Sequence, residues 1–251
     1  MYKLTQPDGF DFYTGTINYR DAIGTIIRIT DFDPPEKGAC GRGLHASKNA
    51  NDCFIGSKIP CAAFRVKGIQ KIAGDEQKCR YRALKVIEEI HDLDKLFGWN
   101  YLEACNPIHP FALKPPNINQ KHLDSLEKWD SVGNSVRNSV IDSVWDSVWD
   151  SVADSVWASV WASVRASVGA SVGDSVWDSV GTSVVDSVAA YIGSLFPRIK
   201  NWKYINDDKH GKYPFQPAVN LWKEGFVPSF DGKIWRLHGG AQGEILWHGN
   251  T

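Results

Sequence analysis

The most regular hydrophobic pattern in the chain is a tetrad, x-Ser-Val-x, which runs from Asp130 to Ala189 without an insertion. Val recurs at every fourth residue, fifteen times in all, and Pro is absent. A straight α-helix turns ~400° per tetrad, so its Val stripe would rotate ~40° with each unit, and no flat partner could follow it. A β-solenoid gives every unit an equivalent place, with Val inward and the fourth residue facing water. We therefore expect a tetrapeptide-repeat β-solenoid with coils of about 16 residues, and a long helix is the alternative.

Shorter apolar runs predict the elements on either side of the repeat. Before it, runs rich in Ile, Val or Phe predict strands, and a partial spacing of three to four residues predicts helices. The strands are expected at 25–30, 43–46 and 62–66, and the helices at 80–91 and 120–128. After the repeat, Pro217 near a first turn predicts a helix at 217–224, and Asp231-Gly232 between two apolar runs predicts a hairpin.

The Pro-rich stretch 106–116 cannot continue a helix or a central strand, so it marks a boundary. We divide the chain into a small mixed α/β domain (1–116), the repeat with a short helical lead-in (117–196) and a small, aromatic-rich α+β module (197–251). The predicted fold class is therefore α+β around a repeat.

Composition narrows the setting. The chain is 43% hydrophobic, which suits a protein with a real core, and its formal net charge of −1 recruits neither nucleic acid nor an anionic membrane. No run approaches the ~18 apolar residues of a membrane span, so no membrane partner is expected. The odd number of cysteines, 5, and an N-terminus without an apolar signal core indicate the cytoplasm.

The most site-like segment is Gly41–Ser47, a glycine-flanked predicted strand that bears one His. It reads either as a turn into a core strand or as a ligand-binding strand, with His45, Ser47 and Arg42 forming a candidate pocket. Gly-Leu-His-Ala-Ser, followed by the strand at 62–66, resembles the opening strand, helix and strand of ADP-ribosyltransferase-like folds. In those folds a His on this strand contacts the nicotinamide dinucleotide, which would place His45 in the pocket. The family also needs an acid in its second half, for which Glu88 and Glu89 are available, although on a predicted helix.

Other chemistry is scarce. Spacings among Cys40, His45, Cys53 and Cys61 match no zinc knuckle with paired cysteines, so we expect no metal and interpret the thiols as reduced core residues. No phosphate loop, nucleophile elbow or His-Glu-x-x-His motif occurs, so we expect no cofactor, and a non-enzymatic function is favoured.

The last module interleaves aromatic residues with Lys and Arg. Such rings could stack bases, which makes a single-stranded nucleic-acid binder one alternative, whereas a small aromatic core with solvated lysines is the other interpretation. Its ending Val-Pro-Ser-Phe-Asp-Gly-Lys-Ile-Trp-Arg-Leu-His, together with Gly-Leu-His-Ala-Ser and the tetrads, resembles a group of uncharacterised bacteriophage and prophage proteins. The resemblance implies an accessory phage protein, in a bacterial host cell or associated with the virion, and brings no established activity.

Variation within the tetrad suggests how the repeat is used. The fourth residue is mostly Trp, Gly, Arg or Ala, and Trp, Gly and Arg interconvert by one first-base change of an NGG codon, while Ser and Val are held. In the expected coils Trp145, Trp161 and Trp177 form one exposed column, which is typical of a self-association or partner surface. We therefore predict a phage-type accessory protein whose rigid repeat is a spacer or a surface for a protein partner or homo-oligomer. The alternative is an ADP-ribosyltransferase-like enzyme or nucleotide-binding protein with His45 in the pocket.

Overall fold

The computed structural model describes residues 1–132, 136–144, 146–205 and 212–250. The chain forms two compact units, Met1–Gly98 and Trp99–Thr251, which we call unit 1 and unit 2. The boundary between the two units follows Gly98, whereas the composition of the sequence separates three regions with boundaries after 116 and 196. Within the described residues, no helix is both long enough and apolar enough to cross a membrane.

Unit 1 is built on one antiparallel sheet. Its strands are β1 (Tyr2–Thr5), β2 (Ile26–Arg28), β3 (Leu44–Ala46), β4 (Ala62–Gly74) and β5 (Cys79–Ile90), and a short helix, α1 (Leu93–Phe97), follows. The strand order is β1-β4-β5-β2, and β3 also pairs with β5. Ser47, directly after β3, exchanges two backbone hydrogen bonds with Tyr2 of β1, so the pairing returns to its first strand and the sheet curls. The three predicted strands correspond to β2, β3 and the start of β4.

The predicted helix at 80–91 is wrong, because this segment is the strand β5. Leu84 and Val86 are fully buried while Lys85 and Ile87 are exposed, which is the two-residue period of a strand. The apparent helical spacing came from apolar residues on both faces of the sheet. Pairing along the length of β4, with Val66 opposite Val86, decided the outcome.

Unit 2 combines helices with a second antiparallel sheet. Its helices are α2 (Tyr101–Cys105), α3 (Gln120–Asp130), α4 (Val136–Ser143), α5 (Asp146–Val156), α6 (Ala162–Val172), α7 (Asp174–Ser194) and α8 (Gln216–Lys223), and its strands are β6 (Val227–Phe230), β7 (Trp235–Gly239) and β8 (Glu244–Gly249). The predicted helices near 120–128 and 217–224 and the hairpin at Asp231-Gly232 correspond to α3, α8 and the β6-β7 pair.

The repeat is helical, so the predicted β-solenoid is wrong and the α+β class holds for the rest of the chain. The rotation of the Val stripe is absorbed by interruptions rather than by a flat partner. The segment Trp157–Trp161 is a π-helix, whose i→i+5 hydrogen bonds add residues to each turn and so bring the stripe back toward the core. Gly173, with φ of +77°, then ends α6 and lets α7 pack against it. Val156, Val160 and Val164 are consequently all buried across the π turn.

Two serines of the tetrad, Ser171 and Ser183, bond to the second sheet, not to Ser in a neighbouring coil as the solenoid required. Ser183 Oγ accepts from the backbone N–H of Phe230 at 2.8 Å, which satisfies an edge donor of β6. Ser171 Oγ lies 3.1 Å from Nδ1 of the fully buried His238. These bonds fasten α6 and α7 to the second sheet.

Candidate functional site

A cavity of about 480 Å³ lies in unit 1 beside β3. Its lining includes all three residues of the predicted pocket, His45, Ser47 and Arg42. They meet on one wall because β3 pairs with β5 and the residue after β3 pairs with β1. The volume is within the range of small-molecule sites, which hold ~300–1,000 Å³.

His45 is held as a neutral imidazole that donates through Nε2 and leaves Nδ1 as an acceptor. Its Nε2 lies 3.0 Å from the carbonyl oxygen of Ala39, and since a carbonyl only accepts, Nε2 carries the hydrogen. Burial, then the charges of Lys78 and Lys3, lower the pKa of His45 to about 4. Nδ1 therefore keeps its lone pair at neutral pH, and no described residue donates a hydrogen bond to it. A ligand donor in the cavity could fill that place.

Two lysines that sequence reasoning missed also line the cavity, together with Arg42 and four aspartates. Lys3 on β1 and Lys78, just before β5, both line it. Burial lowers the pKa of the Lys3 ammonium, while the neighbouring Cys53 and Asp11 act in the opposite direction. Neither lysine forms an ion pair with a described carboxylate. No motif marks these residues, because only the curl of the sheet brings them to His45.

Arg80 positions the wall that carries Arg42. The Arg80 side chain is fully buried, and its guanidinium donates to the backbone carbonyls of Asp33, Pro34 and Arg42, each at 2.8 Å. A Cβ on Gly43 would overlap the Arg80 side chain. The glycines of the segment 41–43 thus make room for a buried arginine. Sequence analysis did not identify Arg80, because its segment was predicted to be helical.

Arg42 itself is not a free cation. Its guanidinium pairs with Asp31 at 2.7 Å and with Asp33 at 3.0 Å, which fastens the loop to itself. The carboxylate of Asp11, also in the lining, is occupied by hydrogen bonds from neighbouring residues. Burial opposes its ionisation, but hydrogen bonds from Thr14, Ile17 and Thr16 prevail and lower the pKa of Asp11 to about 2.

The two glutamates that were predicted to serve an ADP-ribosyltransferase-like enzyme are engaged away from the cavity. Glu88 and Glu89 do lie on a strand, β5, yet each is ion-paired at 2.6 Å, with Arg65 and Arg20 respectively. Neither lines the cavity. The thiol of Cys53 offers no nucleophile either, since burial raises its pKa.

No family model, curated protein or solved structure matches the chain. The resemblances to phage proteins and to ADP-ribosyltransferase-like folds therefore stay predictions. Inference about function depends on the geometry of the site alone.

The predicted tryptophan column depended on the solenoid, and its geometry is wrong for a helical repeat. Trp145 lies outside the described residues. The ring of Trp161 packs on Trp157 at 5.0 Å between centroids. Trp177 lies under the Arg165 guanidinium, 5.6 Å from its ring centroid, and beside Gly169 of α6. Trp161 and Trp177 thus each pack on a local partner of their own.

The structure also bears on the metal site and on the nucleic-acid interpretation of the last module. Within the described ranges, no group of three His, Cys, Asp or Glu side chains is arranged to hold a metal ion. In the last module Phe215, Trp222 and Phe226 are fully buried, and Trp202 and Trp235 nearly so. These rings form a core, whereas Tyr204 is exposed and Trp247 partly so, and the nucleic-acid alternative stays a prediction.

Proposed function

We propose that unit 1 binds a small phosphate-bearing ligand of the nucleotide class in the cavity at His45. The observation that carries the proposal is a cavity of about 480 Å³ whose lining brings together the imidazole of His45 and the ammonium groups of Lys3 and Lys78. Two ammonium groups without carboxylate partners suit a phosphate. The free Nδ1 of His45 suits a ribose hydroxyl, which donates a hydrogen bond.

The remaining lining is compatible with a base. Phe12 and Tyr13 contribute rings to the cavity, and Tyr13 is 92% exposed at its rim. Stacking on such a ring is worth ~1–3 kcal/mol per base. Of the four carboxylates in the lining, Asp31 and Asp33 are paired with Arg42 and Asp11 accepts hydrogen bonds from its own turn, while burial and the nearby Asp75 raise the pKa of Asp52 and so weaken its charge.

Binding rather than group transfer is proposed, because the glutamates that were predicted to supply the acid of a transferase do not line the cavity. Glu88 and Glu89 are paired away from the cavity, and Asp11 is held ionised by a turn. The proposal thus keeps the nucleotide-binding form of the sequence-based alternative and leaves out its enzymatic form.

The test is isothermal titration calorimetry of the full chain with ADP and, separately, with adenosine. We expect ADP to bind and adenosine to bind at least about tenfold more weakly, since only ADP engages the lysines. Lys78→Gln should weaken ADP about tenfold and leave adenosine unchanged, and Lys85→Gln, an exposed lysine on β5 outside the lining, is the matched control. Equal affinity for ADP and adenosine, or no binding of either, would overturn the proposal.

A protein-interaction surface on the helical repeat is a second candidate, in keeping with an accessory phage protein. It is favoured by the Trp157–Trp161 pair, whose rings pack on each other while both residues stay partly exposed. Trp161→Ser should then lower the solution mass measured by light scattering if the chain self-associates. An unchanged mass would leave this pair without a role in self-association.

A further inference from the structure

A second cavity, of about 160 Å³, lies within the helical repeat. Seven of the described residues line it, and every one is the fourth residue of a tetrad. Arg137 and Ile141 come from α4, Trp149 from α5, Trp157 from the π turn and Val185 from α7, with two alanines completing the wall. The position predicted to face water therefore forms a cavity instead.

Helix geometry explains why one tetrad position lines the cavity. Each fourth residue follows a buried Val and lies ~100° round the helix from it. It consequently borders the seam where α7 packs against α4 and α5, and of the seven lining residues only Ala189 is fully buried. Trp149, Trp157 and Val185 are accordingly half-buried, whereas Val148, Val156 and Val184 are fully buried.

This placement gives the sequence variation a structural meaning. Ser fastens the helices and Val fills the core, so both are held, while the fourth residue can change without disturbing either. A first-base change that converts Trp to Gly or Arg would reshape the cavity wall and leave the fold in place. The fourth position thus has the properties of a specificity-determining position.

The chemistry of the wall indicates what fits. A cavity of ~150 Å³ is large enough for one benzene ring, and two indoles and aliphatic side chains favour an aromatic guest. Among the lining residues that the structure describes, Arg137 alone is charged, and it forms no ion pair with a described carboxylate. The nearby Asp186 is close enough for the two charges to interact, yet they make no direct bridge.

We propose that this cavity binds a small aromatic carboxylate, the ring between Trp149 and Trp157 and the carboxylate at Arg137, and that the fourth-position residues set its selectivity. The site belongs to unit 2 and does not depend on the nucleotide proposal for unit 1.

The experiment titrates the full chain with phenylacetate and with benzyl alcohol, which shares the ring but lacks the charge, by ligand-observed NMR. We expect phenylacetate to bind at least about tenfold more tightly than benzyl alcohol, because only phenylacetate engages the guanidinium. Arg137→Gln should remove that difference, and Arg137→Lys should retain part of it. Trp157→Gly should weaken both probes.

Arg165→Gln is the matched control, since Arg165 is also a fourth-position residue but lies outside the cavity. It should leave both affinities unchanged. The proposal is overturned if phenylacetate does not bind, if benzyl alcohol binds equally well, or if Arg165→Gln has the same effect as Arg137→Gln. Because the two probes are compared on the unaltered chain, the test does not depend on any variant folding.

Discussion

Replacing Arg80 with Leu is expected to release the loop that forms one wall of the His45 cavity. The guanidinium donates to three backbone carbonyls, of Asp33, Pro34 and Arg42. Hydrogen bonds from a charged donor are worth ~1.5–3 kcal/mol each, so three such bonds are worth roughly 5–9 kcal/mol. Against this stands the cost of burying the guanidinium, whose Nε has no hydrogen-bond partner. We expect a net loss of about 3–5 kcal/mol, the usual result of removing one partner from a buried charged set.

Hydrogen–deuterium exchange is the assay, because it reports each segment separately. Arg80→Leu should speed exchange in peptides that cover 33–43 and 79–90, and should abolish ADP binding. All 11 tryptophans lie at or after Trp99, so tryptophan emission reports unit 2 alone and checks that this part stays folded.

The control is Arg82→Leu, the same substitution at an exposed position of the same strand. Arg82 lies 4.2 Å over the ring of Phe32, and losing that contact should cost no more than about 1 kcal/mol. If peptides of the loop exchange at the same rate in the Arg80→Leu and Arg82→Leu variants, the buried guanidinium does not hold the wall and the reasoning fails.

Two further predictions concern unit 2. Burial lowers the pKa of His238 to about 4, below the unfolded value of ~6.5. The neutral imidazole therefore contributes fully to the free energy of unfolding above pH 6.5. About 3 kcal/mol of that free energy is lost as the pH falls toward 4. Urea unfolding from pH 7 to 4.5 should show this slope, and His238→Gln should flatten it; equal slopes would refute the assignment. Gly169→Ala adds a Cβ at ordinary contact distance, 3.7 Å from Trp177, within a helix and should stabilise by ~0.5–1 kcal/mol. Gly173→Ala, at φ +77°, should destabilise by ~1 kcal/mol or more, and the same sign for both would contradict the assigned backbone.

Much of the local structure followed from the sequence. Short β-branched runs located β2, β3 and the start of β4, and Pro217 and Asp231-Gly232 located α8 and the β6-β7 hairpin. The glycine-flanked strand identified His45 and its neighbours, which do line a cavity. These features depend on interactions between residues close in the chain, so a local pattern is sufficient.

The tertiary structure decided the rest. Val at every fourth residue rotates around the axis of a straight helix and leaves its packing partner. The sequence does not reveal that a π turn and Gly173 would absorb this rotation. Whether 80–91 is helix or strand was decided by pairing with β4, and the placement of Lys3 in the same cavity as His45 by a sheet that curls until β1 meets the end of β3. In each case the deciding contact joins residues far apart in the chain, whose free energy no local window contains.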